Sequence, residues 1–179
     1  NGSTLGAELV AATTITEAAA LDAELATAVT AATSWGTLPG RERAKILRAC
    51  GLELQRRRAE LLEVMATECA KTLDQGDPEV SEAVDFARYY ADRAEELHLI
   101  DGATFVPVKL TLVVPPWNFP VAIPAGSVLA ALAAGSAVVI KPAPQARRCG
   151  AVMVGGLWAA GVPREVLRLV NVGEDELGR

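Results

Sequence analysis

At 179 residues, 51% of them apolar, the chain is long enough for one domain, or a large piece of one, with a real core. Only 4% are aromatic, so that core is expected to be built from Ala, Leu and Val. Seventeen basic residues against 22 acidic give a net charge of −5, which argues against a nucleic-acid binder, and three cysteines without paired spacing plus one histidine argue against a disulfide framework, a metal site and a His-based triad.

Thr16 reads as the N-cap of an alanine-rich helix over 16–34, with Leu21, Leu25, Ala28 and Val29 on one stripe. Trp35-Gly36 is expected to end it. A second helix is expected over 41–55, burying Ala44, Leu47, Cys50, Gly51 and Leu54, so Cys50 reads as a small core residue. Arg56-Arg57-Arg58 is followed closely by acidic residues and reads as a solvated helix face. A third helix covers 59–73 and a fourth 79–97, with Pro78 in the first turn of the fourth, where a missing N–H costs nothing. Glu79 and Glu82 read as exposed helix glutamates, and His98 as a surface residue at that helix's C-terminal end.

Beyond Asp101-Gly102 the pattern changes. Residues 104–109 are expected to be extended and 110–114 to form a charge-free buried strand. Pro115 and Pro116 break it, Trp117-Asn118-Phe119-Pro120 is a turn, and a helix of small residues over 125–134 leads to a second strand at 136–140. A helix over 146–160, a short helical piece starting at Pro163 and a third strand at 167–170 follow. The uncharged run 110–140 exceeds the ~20 residues of a membrane span. Pro115, Pro116, Pro120 and Pro124 would break such a helix, so a buried strand–turn–helix–strand is expected instead. No basic stretch precedes an apolar one at the N-terminus, and a cytoplasmic protein is expected.

The alternation of strand and helix implies an α/β fold: N-terminal helices over 1–103, then the first β-α-β-α-β half of a Rossmann-like parallel sheet over 104–179. A doubly wound sheet needs further strands, and three leave one edge open. The chain therefore reads as the front half of a larger domain, truncated at Gly178-Arg179.

PWNFP at 116–120, AALAAG at 130–135, SAVVIKPAPQ at 136–145 and AAGVPREVLRLV at 159–170 together resemble the aldehyde dehydrogenase superfamily. EVSEAVDFARYYA at 79–91 is similar to its proline-catabolic branch, which oxidises L-glutamate γ-semialdehyde and includes bifunctional proteins with a proline dehydrogenase attached. The resemblance implies NAD(P)-dependent oxidation of an aldehyde to a carboxylate through a cysteine thioester, in a homo-oligomeric parent. It implies that Asn118 donates a neutral amide N–H to the oxyanion and that Lys141 holds the cofactor's ribose or a nearby phosphate. Val114, Pro115, Pro116 and Trp117 would line the nicotinamide side, Ala143 and Pro144 would lie by the adenosine ribose, and Phe119 would wall the aldehyde tunnel. Glu79 and Glu82 are the candidates to meet a substrate ammonium.

Many relatives carry KPAE where this chain has KPAP. Pro144 offers neither an acceptor nor a charge, so NADP stands open beside NAD. The resemblance also places the nucleophilic cysteine, the general-base glutamate and the pyrophosphate turn downstream of Arg179; Cys149, on the helix after KPAPQ with no base at hand, is not that nucleophile. A chain so composed is expected to be inactive alone. The rival readings are a truncated, non-catalytic binding or regulatory module of the same fold, and a CoA-acylating relative.

Overall fold

The computed structural model describes residues 2–173. The helical first half comprises α1 (Ala7–Ala12), α2 (Ala18–Thr37), α3 (Gly40–Arg56), α4 (Arg58–Cys69) and α5 (Leu73–Glu96). An extended passage then leads into β1 (Leu110–Val113), α6 (Ala122–Ala133), β2 (Ala137–Ile140), a 3-10 turn (Pro144–Ala146), α7 (Arg147–Ala159) and β3 (Leu167–Leu169). The strands are parallel in the order β1-β2-β3, with Leu110 opposite Ala137 and Val138 opposite Leu167. Both connections advance the same way across the sheet, so right-handed crossovers put α6 and α7 on one face. Helix α2 packs across all three strands, and β2 is buried along its whole length. One continuous core joins the helices to the sheet. No helix among the described residues is long and apolar enough to cross a membrane.

Helix α6 is almost wholly buried and has neither a charge nor a side-chain cap of its own. Its terminal groups are satisfied by side chains from the helical half. At the C-terminus, Trp35 Nε1 donates to the Leu132 carbonyl (3.0 Å) and Arg43 Nε to the Ala133 carbonyl (3.0 Å). Arg43 is fully buried and also donates to the Leu38 carbonyl. A cation suits this end because the helix dipole is negative there. Small residues in α6 permit close approach, but to α5 as well as to the strands: a Cβ on Gly126 would lie 2.9 Å from the Phe86 ring.

Several boundaries differ from the sequence expectation. Helix α1 has too short a pattern to be read from periodicity, and it is held against α7. Helix α2 continues through Trp35-Gly36, because Trp35 is locked into the core, and it ends just before Pro39. Helix α4 stops at Cys69, where Ala70 turns left-handed (φ 55°), and α5 begins at Leu73 rather than after Pro78. Pro78 thus lies in the second turn, where it deprives only the carbonyl of exposed Asp74 of a donor. Pro163 starts a single turn instead of a helix. The β3 edge is partly covered: the Ile15 N–H donates to the Asn171 carbonyl (2.8 Å) and the Asn171 N–H to the Thr13 carbonyl (2.8 Å).

Candidate active site

Parallel register brings Val113 opposite Ile140 and Ile140 opposite Leu169, so the chain leaves all three strands at one edge of the sheet. Val114 and Lys141 are the first residues past β1 and β2 there. The Lys141 N–H still donates to the Val113 carbonyl (2.9 Å), which ties the two exits together. Ligands of open parallel sheets gather at this carboxyl edge.

From β1 the chain runs through Val114, Pro115, Pro116, Trp117, Asn118, Phe119 and Pro120 into α6. Pro115 and Pro120 are buried; Val114, Pro116, Trp117, Asn118 and Phe119 are exposed. The turn is therefore pinned at both ends by prolines packed beneath it, with the amide-bearing segment facing outward. Pro115, expected along the nicotinamide side, is buried beneath the turn instead of lying on its surface. Among the described residues no main-chain hydrogen bond joins two residues of 114–120.

Two residues of the helical half hold the turn. Lys71, on the short link after Ala70, donates from Nζ to the main-chain carbonyl of Asn118 (3.1 Å) and lies 4.5 Å from the centre of the Phe119 ring. It is paired with Glu79 of α5. One oxygen of Glu79 accepts the N–H groups of Val121 (2.7 Å) and Ala122 (3.0 Å), the first turn of α6. Glu79 is therefore not the exposed helix glutamate expected from sequence; it is 3% exposed and caps a neighbouring helix. Its fellow candidate, Glu82, is exposed and lines a groove of about 760 Å³ on α5 with Pro78, Phe86 and Tyr90. Neither Lys71 nor the role of Glu79 had a local sequence signal, since both act on residues more than forty positions away.

Past β2, Lys141, Ala143 and Pro144 are half-buried and Pro142 is buried. The helix that follows is pressed onto this corner: a Cβ on Gly150 would fall 2.4 Å from the Pro142 ring. The N-terminus of α7 is capped as α6 is, by a distant carboxylate. Glu68 accepts the N–H groups of Arg148 (2.8 Å) and Cys149 (2.7 Å). Helix N-termini are the usual seats of a dinucleotide's pyrophosphate. Here both crossover helices already carry a protein carboxylate, so these two ends are closed to that group. The corner offers a basic side chain and small, half-buried residues at the carboxyl edge.

The cysteines are not as isolated as their spacing implied. Cys69 Sγ and Cys149 Sγ lie 3.8 Å apart, and the Cys69 thiol also donates to the Gln145 carbonyl (3.4 Å). The contact with Cys149 pulls the Cys69 thiol below its ordinary pKa, while Cys149 is pushed well above it by the same contact and by burial. Cys50 is enclosed in the core, and burial pushes its thiol up to about 12. Glu68 lies within 4.8 Å of both paired thiols. Its oxygens already accept the α7 N–H groups, and the positive end of that helix repels a cation, so the cluster does not read as a metal site.

A model described as "Aldehyde dehydrogenase family" matches residues 4–179. The bifunctional protein PutA of Klebsiella aerogenes is 38% identical over 155 residues, covering 84% of this chain and 12% of that protein. The alpha-ketoglutarate semialdehyde dehydrogenase of Haloferax volcanii is 36% identical over 176 residues, covering 90% of this chain and 36% of that protein. A solved structure of a 1-pyrroline-5-carboxylate dehydrogenase superposes with a TM-score of 0.85 at 29% identity, covering 91% of this chain and 34% of that one. The chain thus spans between about a tenth and a third of the length of these relatives.

Proposed function

The chain belongs to the aldehyde dehydrogenase family, and on that premise we propose that it forms the first part of an NAD(P)-dependent enzyme oxidising L-glutamate γ-semialdehyde to the carboxylate through a cysteine thioester. One observation carries the reading. Asn118, an uncharged amide, stands exposed on a proline-pinned turn just past β1, at the sheet edge that also bears Lys141.

On this reading the attacking thiolate and the general base come from the relatives' remaining length. The described cysteines do not suit the role: Cys50 and Cys149 are buried with raised pKa values, and the Cys69 thiol is engaged by Cys149 and the Gln145 carbonyl. As a thiolate adds to the aldehyde, the carbonyl oxygen becomes an alkoxide. The Asn118 carboxamide N–H donates to that oxygen and, being neutral, does so without titrating. NAD(P), when bound, supplies the acceptor for the hydride. Lys141 would hold the adenosine ribose or a nearby phosphate, Ala143 and Pro144 would lie by the ribose, and Val114, Pro115, Pro116 and Trp117 would line the nicotinamide side. Phe119 walls the aldehyde's approach. The Pro144 side chain provides no acceptor for the ribose hydroxyls, so NADP stands open beside NAD.

The substrate assignment is supported by the structural neighbour and by a 32% identical relative, both named for 1-pyrroline-5-carboxylate. The archaeal relative, named for alpha-ketoglutarate semialdehyde, sets the competing aldehyde, which has no ammonium. Glu82 is the carboxylate left to meet an ammonium, since Glu79 is committed to α6. A homo-oligomeric parent, with a proline dehydrogenase unit on the same polypeptide, completes the proposal.

The test is Asn118→Ala in the full-length protein. Losing one such donor costs about 3 kcal/mol. Turnover should fall on the order of a hundredfold, with the affinity for NAD unchanged. Unaltered turnover would refute the assignment.

A further inference from the structure

We propose that Lys71 and Glu79 are positioning residues that set the angle of the oxyanion amide. The inference rests on the role proposed for Asn118 and deepens it. Proline rings restrict φ within the 114–120 turn, but they do not decide where the turn as a whole points. Among the described residues, the one hydrogen bond to any residue of 114–120 comes from Lys71 Nζ, to the Asn118 carbonyl. The next fixed point is Glu79, which holds the N–H groups of Val121 and Ala122. One ion pair therefore grips both the carbonyl of the functional residue and the helix start three residues later.

The chemistry of the pair suits this use. An ammonium has three donors and no acceptor. Lys71 directs its charge to Glu79, to the Asn118 carbonyl and to the face of the Phe119 ring. Its side chain is 11% exposed and that of Glu79 2%, so water does not compete strongly for either. Glu79 in turn lies at the positive end of α6, where a carboxylate is favoured. The clamped carbonyl carbon is bonded to the Cα that bears the Asn118 carboxamide, so rotation of that peptide would swing the donor. A displacement of about 1 Å at a catalytic group is enough to cost about a hundredfold in rate.

The conservative probe is the double variant Lys71→Met/Glu79→Gln. It removes both charges together, keeps the volume, and leaves an amide oxygen to accept the two N–H groups, so the fold is retained. In the full-length protein it is expected to keep the wild-type circular dichroism spectrum and NAD affinity while kcat falls tenfold to a hundredfold. Placed on Asn118→Ala, it should cost nothing more, because the donor it positions is already gone. Lys71→Arg, which keeps the charge and a donor, should recover part of kcat. Wild-type kcat in the double variant, beside a strongly impaired Asn118→Ala, would overturn the positioning role alone. Equal kcat in wild type, Asn118→Ala and the double variant would overturn the oxyanion assignment and this inference with it. A full additional loss on the Asn118→Ala background would assign the pair to general stability and also overturn it.

Discussion

Replacement of Arg43 tests how α6, and with it the turn in front of it, is held. Arg43 is fully buried and donates to the Ala133 and Leu38 carbonyls. Hydrogen bonds from a charged donor are worth roughly 1.5–3 kcal/mol each, so losing both removes about 3–6 kcal/mol. Part returns in Arg43→Met, because the methionine fills the channel and a guanidinium whose Nη2 has no partner is no longer buried. A net loss of about 3 kcal/mol is expected. For a domain of this size that lowers Tm by roughly 10 °C. Urea unfolding of the 179-residue chain, followed by circular dichroism, should show a lower midpoint with an unchanged slope. Arg43→Lys should recover less than half, since one ammonium cannot reproduce the planar fork. A destabilisation under about 0.5 kcal/mol, the range of ordinary surface changes, would refute the idea that distant side chains hold the end of α6.

Native alkylation should modify Cys69 first and leave Cys50 and Cys149 untouched until the chain unfolds, as read by peptide mass spectrometry. Cys69 is half-buried with a lowered thiol pKa, whereas the other two are enclosed and raised; early labelling of Cys149 would contradict the packing. Acid stability should show the contribution of Glu53, whose carboxyl is held near 2 by Arg56 and then Arg57. Because the folded-state value is depressed, the stabilisation is complete above the ordinary carboxylate range and is lost as pH falls towards 2. The gap in urea midpoint between wild type and Glu53→Gln should therefore be widest near neutrality and close in acid; a gap that grows as pH falls would show the sign to be wrong.

What local pattern could encode was legible before the structure. Small apolar residues at helical spacing gave α6 and α7, the charge-free runs gave the positions of β1 and β2, and prolines on both sides of Trp117-Asn118-Phe119 gave a stiff turn; β1, expected to be buried, instead lies at the sheet edge with Leu112 62% exposed and only Val113 buried. Parallel pairing then follows from chain order, because a strand–helix–strand unit closes with one hand. The misses have a common cause. Periodicity reports which face of an element is apolar, but not which distant group meets its ends. Glu79 has the sequence context of a surface residue and becomes buried because α6 presents two bare N–H groups to it. Glu68 does the same for α7, and Trp35 and Arg43 serve the other end of α6. Cys69 and Cys149 are eighty residues apart and in contact. The order of the elements from α2 onward, apart from the piece at Pro163, and the presence of an uncharged amide on a proline-flanked turn were thus determined by the sequence itself. Which distant side chains hold that turn and cap the helices was decided only by the tertiary structure, because a buried polar group must find its partner wherever folding places one.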